Sequence, residues 1–152
     1  MNILKAAGEF KMIEYESIFK VMYPDTDQMG TVHHANYVKY YETARWELFR
    51  HIGIPYRSVE DAGYMLPVIR MNFRFIKTTH YDALLRVKTT LKAIKGARIW
   101  FTYKLYNEQN ELINEAETEL AFVKKESWKP CPAPDFIQHA IACHTREEQT
   151  LQ

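Results

Sequence analysis

Asp25, Thr26, Asp27, Gly30, His33, His34 and Asn36 all fall within residues 23–37, Tyr-Pro-Asp-Thr-Asp-Gln-Met-Gly-Thr-Val-His-His-Ala-Asn-Tyr. Carboxylates and imidazoles crowded among turn formers can serve general acid–base or nucleophilic chemistry. Directly downstream, Tyr37, Tyr41, Ala44, Leu48 and Ile52 recur at helical spacing, and Tyr40 and Phe49 widen the stripe. Lys39, Glu42, Thr43, Arg45 and Arg50 are assigned largely to the other faces. A polar loop that runs into a helix N-terminus is a natural place to stabilise negative charge. This stretch is read as the active site.

Metal chemistry is a poor fit to the same residues. Asp25-x-Asp27-x-x-Gly30 imitates the opening of an EF-hand, but Met29 takes a ligand position and Asn36 stands where a bidentate Glu is needed. The adjacent His33 and His34 do not converge on one ion as an i, i+4 pair does. Cys131 and Cys143 lack further ligands at metal spacing and are read as reduced thiols. No metal and no cofactor are expected. Asp25, just after Pro24, reads as a plain turn residue, and Asn36 as the N-cap of the helix.

The elements that must hold this loop follow from periodicity. Residues 1–11 read as frayed. Residues 12–23 alternate roughly as a first strand, ended by Pro24, which cannot donate to a ladder. Gly53 closes the long helix at C′ and Pro55 prevents its resumption; residues 56–63 add one short helical turn. Beyond Met65 the period becomes two, giving strands over 68–76, 85–93, 97–105 and 115–123, joined in part by short polar connections at 95–96 and 107–110. The order is strand, long helix, then four strands as an antiparallel meander. Alternation implies one buried sheet face, and one helix is available to cover it. The economical architecture is α+β, a curved five-stranded antiparallel sheet wrapped around the helix. After Ser127 come an extended exit and an amphipathic helix over 134–143, with a loose polar tail from Arg146.

A chain of 152 residues suits a single domain, here with a core over 12–125 and an extension over 126–152. The net charge of +1 gives no basic face for nucleic acid. No apolar run reaches membrane-spanning length, and Lys5, Glu9 and Lys11 interrupt any signal peptide. A cytoplasmic protein is expected. One helix of about 25 Å, at ~1.5 Å per residue, cannot cover five strands, and the outer face carries Trp100 and Tyr106. An oligomer is therefore expected.

Residues 23–45, from Tyr-Pro-Asp-Thr-Asp through Tyr-Tyr-Glu-Thr-Ala-Arg, closely resemble the signature of hot-dog-fold acyl-CoA thioesterases, the group of 4-hydroxybenzoyl-CoA thioesterase and the YbgC-type enzymes. The order of elements matches that family across residues 12–125. The resemblance implies an acyl-CoA thioester hydrolase that takes coenzyme A only as part of its substrate, with acyl-carrier protein as an alternative carrier. It implies a homodimer or homotetramer. It implies that Asp27 is the catalytic carboxylate, with roles for His34 at the helix start and for Tyr23.

The chemistry is coherent with that assignment. A thioester carbonyl needs a nucleophile or an activated water, and donors for the developing oxyanion. Asp27 can attack directly, giving a mixed anhydride, or act as general base. A peptide N–H of the helix start near His34 can polarise the carbonyl, and Gly30, His34, Asn36 and Glu42 are the candidate substrate- and oxyanion-binding residues. Glu42 is the reserve carboxylate, since a helical acid carries the chemistry in related hot-dog enzymes; Glu42 and Arg45 are also candidates for a buried or interfacial polar pair. Lys95 and Arg98, flanking Gly96, offer cations for the coenzyme A phosphates, with Lys77 and Lys124–Lys125 as rivals. Two other functions are open to the same residues: a non-catalytic acyl-CoA or acyl-carrier binding module, and a hot-dog hydratase or dehydratase.

Overall fold

The computed structural model describes residues 12–150, with side chains through Thr145. The lead-in over 1–11, read as frayed, lies outside the described residues. β1 (Ile13–Lys20) leads through a 3-10 turn (Tyr23–Asp25) and the polar loop into α1 (Asn36–His51). Then follow α2 (Tyr56–Asp61), β2 (Tyr64–Met65), β3 (Val68–Phe75), β4 (Leu84–Lys95), β5 (Arg98–Tyr106), β6 (Leu112–Ala121), β7 (Val123–Lys124) and α3 (Asp135–Thr150).

The five long strands form one antiparallel sheet in the order β1-β4-β5-β6-β3. The expected meander is thus only half right. β4, β5 and β6 follow one another, but β3 pairs with β6 at the far edge, Phe73 opposite Ala116. The connection over 76–83 is long enough to carry the chain across to β4, and alternation within a strand says nothing about its neighbour. β2 and β7 pair as a separate ribbon that the sequence reading did not foresee.

α1 lies against the inner sheet face. Tyr41, Ala44, Leu48 and Phe49 are sealed beneath it with Leu85, Val87, Leu91, Ile99, Phe101 and Leu105 from the strands. Each such large apolar side chain contributes about 1.5–3 kcal/mol. The helix ends in a Schellman arrangement: Gly53 N–H donates to Arg50 O at 3.0 Å and Ile54 N–H to Phe49 O at 2.8 Å, with Gly53 at φ +87°.

Arg45 departs from expectation. It was assigned to another face or to a buried or interfacial pair with Glu42; it is buried, but its partner is the Tyr103 hydroxyl, to which it donates at 3.2 Å and which meets Thr118 Oγ1 at 2.9 Å. Spacing explains this, because Arg45 lies four residues after Tyr41 and three before Leu48, inside the stripe. Glu42 points outward and is exposed.

On the outer sheet face ion pairs join the acidic strands β1 and β6 to basic strands. Lys88 meets Glu14, Arg86 meets Glu16, Lys92 meets Glu117, and Arg74 meets Glu115. The C-terminal segment belongs to the core. Cys131 N–H donates to Phe122 O at 2.9 Å, and Ile137 and Ile141 of α3 are buried with the main cluster. α3 also runs to Thr150, so the backbone continues in helix where a loose tail was expected. Cys131 and Cys143 are both free thiols.

Candidate active site

Residues 26–32 form a tight hairpin. Thr26 bridges Val32, Asp27 N–H donates to Thr31 O at 2.9 Å, and Gly30 N–H returns to Asp27 O at 3.0 Å. Gly30 closes this turn at φ +78°, a conformation that costs an L-residue about 1–2 kcal/mol. The hairpin is moored to the chain between β3 and β4: Val32 N–H donates to Thr79 O at 2.9 Å and Thr31 bridges His80.

Asp27 sits in an Asx-turn within the hairpin. Its Oδ1 accepts Met29 N–H at 2.9 Å and is approached by the N–H and hydroxyl of Thr31, each at 3.4 Å. Its Oδ2 meets only the Thr31 hydroxyl, at 3.5 Å. One oxygen is held by the turn and the other only loosely by Thr31, and the residue lines a cleft.

That cleft, about 280 Å³, is lined by Asp27, Met29, Thr31, Val32 and His34 from the loop, Tyr37 from α1, and Phe75 through Thr78 from the end of β3. Tyr37 and Phe75 meet edge to face, their ring centroids 5.5 Å apart. At the helix start the backbone donors are unevenly spent. His33 N–H goes to Asp25 O at 2.9 Å, Ala35 N–H to His33 Nδ1 at 3.2 Å, Asn36 N–H to His33 O at 2.9 Å and Tyr37 N–H to His34 O at 3.4 Å. Among the described residues the His34 N–H has no such partner. A carboxylate and an unspent amide on residues that line one cleft are the kinds of group that attack a carbonyl and stabilise the charge that results.

The other residues proposed from sequence are distributed differently. Tyr23 is exposed and packs edge-on against Tyr81, outside the cleft. Asn36 is the first helical residue and not the N-cap, which is Ala35. Its side chain instead donates to Asp25 O at 2.7 Å, while the His33 imidazole takes the Ala35 amide. Gly30 serves the turn, and neither it nor Glu42 lines the cleft. His33 is exposed and stacked on His34, centroids 4.2 Å apart.

Lys95 and Arg98 stand at the far end of the sheet. Arg98 pairs across to Ala121, whereas Lys77 N–H binds Ile113 O near the opposite end of β6. Strand geometry puts more than about 20 Å between them, at ~3.3 Å per residue. Within one chain the hairpin cations do not reach the cleft, and Arg98 is engaged by Glu119. The cation at the cleft is the rival Lys77, paired with Glu111.

Asp25 is what sequence reasoning missed. Read as a plain turn residue, it is 3% exposed. Its Oδ1 accepts Lys39 Nζ at 2.6 Å, and its Oδ2 accepts Met22 N–H at 3.0 Å and the Tyr40 hydroxyl at 2.9 Å. Burial pushes its carboxyl up, but the bonds from Lys39, Met22 and Tyr40 outweigh that, leaving it below the ordinary value. Tyr40 is pushed the other way, by burial first and by Asp25 second. The signal available in the sequence was Lys39–Tyr40, donors placed on the first turns of the helix that follows.

The family model of the thioesterase-like superfamily matches residues 21–141. The chain belongs to this superfamily. Acyl-CoA thioester hydrolase YbgC of Escherichia coli O157:H7 is 32% identical over 118 residues, 78% of this chain and 88% of that relative. The 1,4-dihydroxy-2-naphthoyl-CoA hydrolase of Thermosynechococcus vestitus is 27% identical over 116 residues, 76% of this chain and 80% of the relative. Among solved structures, the DHNA-CoA thioesterase of Staphylococcus aureus superposes with a TM-score of 0.81 at 26% identity, covering 91% of this chain and 95% of that one. The thioesterase superfamily thus accounts for both the hot-dog architecture and the 23–45 signature. Among the described residues no helix is long and apolar enough to cross a membrane, and no group of His, Cys, Asp and Glu could hold a metal ion.

Proposed function

We propose that this thioesterase hydrolyses acyl-CoA, releasing a carboxylic acid and free coenzyme A. The carrying observation is that Asp27, one of whose oxygens is only loosely held, and His34, whose N–H is unspent, line one cleft and come from one loop. The thioester carbonyl sits between them. The Asp27 carboxylate attacks it or deprotonates a water that does, and the His34 amide at the start of α1 takes the oxyanion. Such a donor is worth about 3–4 kcal/mol of barrier. The His34 ring is a wall of the cleft. Tyr37, Phe75 and Met29 offer apolar surface to the acyl group, and Lys77 is the cation beside it. The chemistry needs no cofactor.

The cleft is open along β3, an edge strand whose Val68, Ile69 and Phe75 are exposed together with Ile76 just beyond it. An unpaired edge with apolar side chains is a template for a second chain. The working enzyme is accordingly a dimer or dimer of dimers in which a second copy covers this side of the cleft and brings further cations to the coenzyme. The setting is the cytoplasm, where acyl-CoA is available.

The test is thiol release from a panel of acyl-CoAs. Asp27→Asn is expected to stay folded and lose at least ~10²-fold in kcat. His34→Ala, which keeps the amide, is expected to lose less. Equal release by wild type and Asp27→Asn across the panel overturns the reading.

A further inference from the structure

We infer that Asp25 is a positioning residue for Asp27 and His34, locking the loop that carries both to the first turns of α1; the inference rests on the thioesterase reading of the cleft. Asp25 does not line the cleft. It nevertheless makes contacts with every part of the loop's frame. Its carboxylate takes the Met22 N–H from the loop entry, and Lys39 and Tyr40 from the helix. Its backbone carbonyl takes two donors from the loop exit, His33 N–H at 2.9 Å and Asn36 Nδ2 at 2.7 Å.

The proposed reacting groups are near neighbours of these anchors. Asp27 is two residues beyond Asp25, and His34 follows the His33 amide that Asp25 binds. Because the His33 N–H is spent on Asp25, the next peptide is oriented with its own N–H unspent. The carboxylate sets how far the loop entry stands from the helix, and the carbonyl sets where the loop exit turns into it. Together they fix the two sides of the cleft relative to each other.

Asp25 is buried while its partner Lys39 is largely exposed, and a buried carboxylate kept for stability alone is often replaceable by an apolar side chain. What a carboxylate adds is direction. Three donors from two segments, the loop entry and the helix, converge on two oxygens and fix one against the other. A displacement of ~1 Å at a reacting group costs up to about 10²-fold in rate.

The experiment measures kcat and KM for wild type, Asp25→Asn, Asp27→Asn and the double variant, at a temperature where circular dichroism shows each fully folded. Asp25→Asn is expected to lower kcat by about 10²-fold with KM little changed. In the Asp27→Asn background the same change is expected to cost little more, because the group it positions is already gone. Lys39→Gln and Tyr40→Phe, which each remove one donor, are expected to give intermediate losses with the same non-additivity. They decide the matter if Asp25→Asn does not fold.

A second readout is independent of turnover. Amide hydrogen exchange at His33 is expected to speed up in Asp25→Asn, while amides of β5 keep their protection. Wild-type kcat in the folded variants, or equal losses in both backgrounds, overturns the assignment. Should wild type show no Asp27-dependent hydrolysis, the thioesterase reading fails by itself. Hydrogen exchange then decides the positioning role, and unchanged His33 protection overturns it.

Discussion

Asp25 and Asp27 stand two residues apart in one loop, yet Asp25 is sealed beneath Lys39 and Tyr40 while Asp27 opens onto the cleft. Their different surroundings give Asp25 a distinct acid dependence. Its folded carboxyl lies below the ordinary 3.8, so the stability it contributes is fully present above that value. It is lost as pH falls through the depressed folded value. The melting temperatures of wild type and Asp25→Asn are therefore expected to differ by a constant amount near neutrality and to converge below about pH 3.8. A gap that stays constant down to pH 2 would contradict this. Sequence alone ranks these two residues only through the family signature, which singles out Asp27. The burial of Asp25 depends on donors fourteen and fifteen residues away, and nothing within the turn announces them. Arg45 was different, because its place in the helical stripe was readable and only its charge argued against burial.

Among the elements, the strands were legible nearly to their ends. Expected spans over 68–76, 85–93 and 97–105 correspond to Val68–Phe75, Leu84–Lys95 and Arg98–Tyr106. A sheet with one buried face writes its period directly into the chain. The pairing of β3 with β6 is not written there, because strand partners depend on where a long connection returns. The end of α1 was legible because Gly53 has a conformational reason to be glycine. At φ +87° with open space around it, Gly53→Ala meets strain without a clash. A loss of about 1–2 kcal/mol in unfolding free energy is expected, measurable by denaturant titration, with kcat of the folded enzyme unchanged. The helix start proved less readable. Asn36 has the residue type of an N-cap, but the chain bends one residue earlier and His33 supplies the acceptor.

On the scale of the whole molecule, α1 packs mainly on β1 and β4 and reaches β3 through the Tyr37 and Tyr41 rings. β1 is well buried on its inner face, whereas β3 shows alternating partial burial and exposed Val68, Ile69 and Phe75. The asymmetry follows from the placement of α1 toward the β1 edge of the sheet. It places the open edge beside the cleft, since Phe75 belongs to both. Ile69→Lys is thus expected to shift the protein toward monomer in sedimentation velocity, with thiol release falling in step with the dimer fraction. A variant that stays oligomeric and active would move the interface elsewhere.

The uneven holding of Asp27 has a consequence for isotope flow. Because Oδ1 is tethered by the turn, the side chain is a one-handed reagent, and any route through an anhydride must use the same atom each cycle. Turnover in ¹⁸O-enriched water, with water attacking at the aspartyl carbon, would then load a single heavy oxygen onto the Asp27 peptide. A carboxylate free to spin would collect two, and one that only activates water would collect none. Mass spectrometry of that peptide tells the three apart.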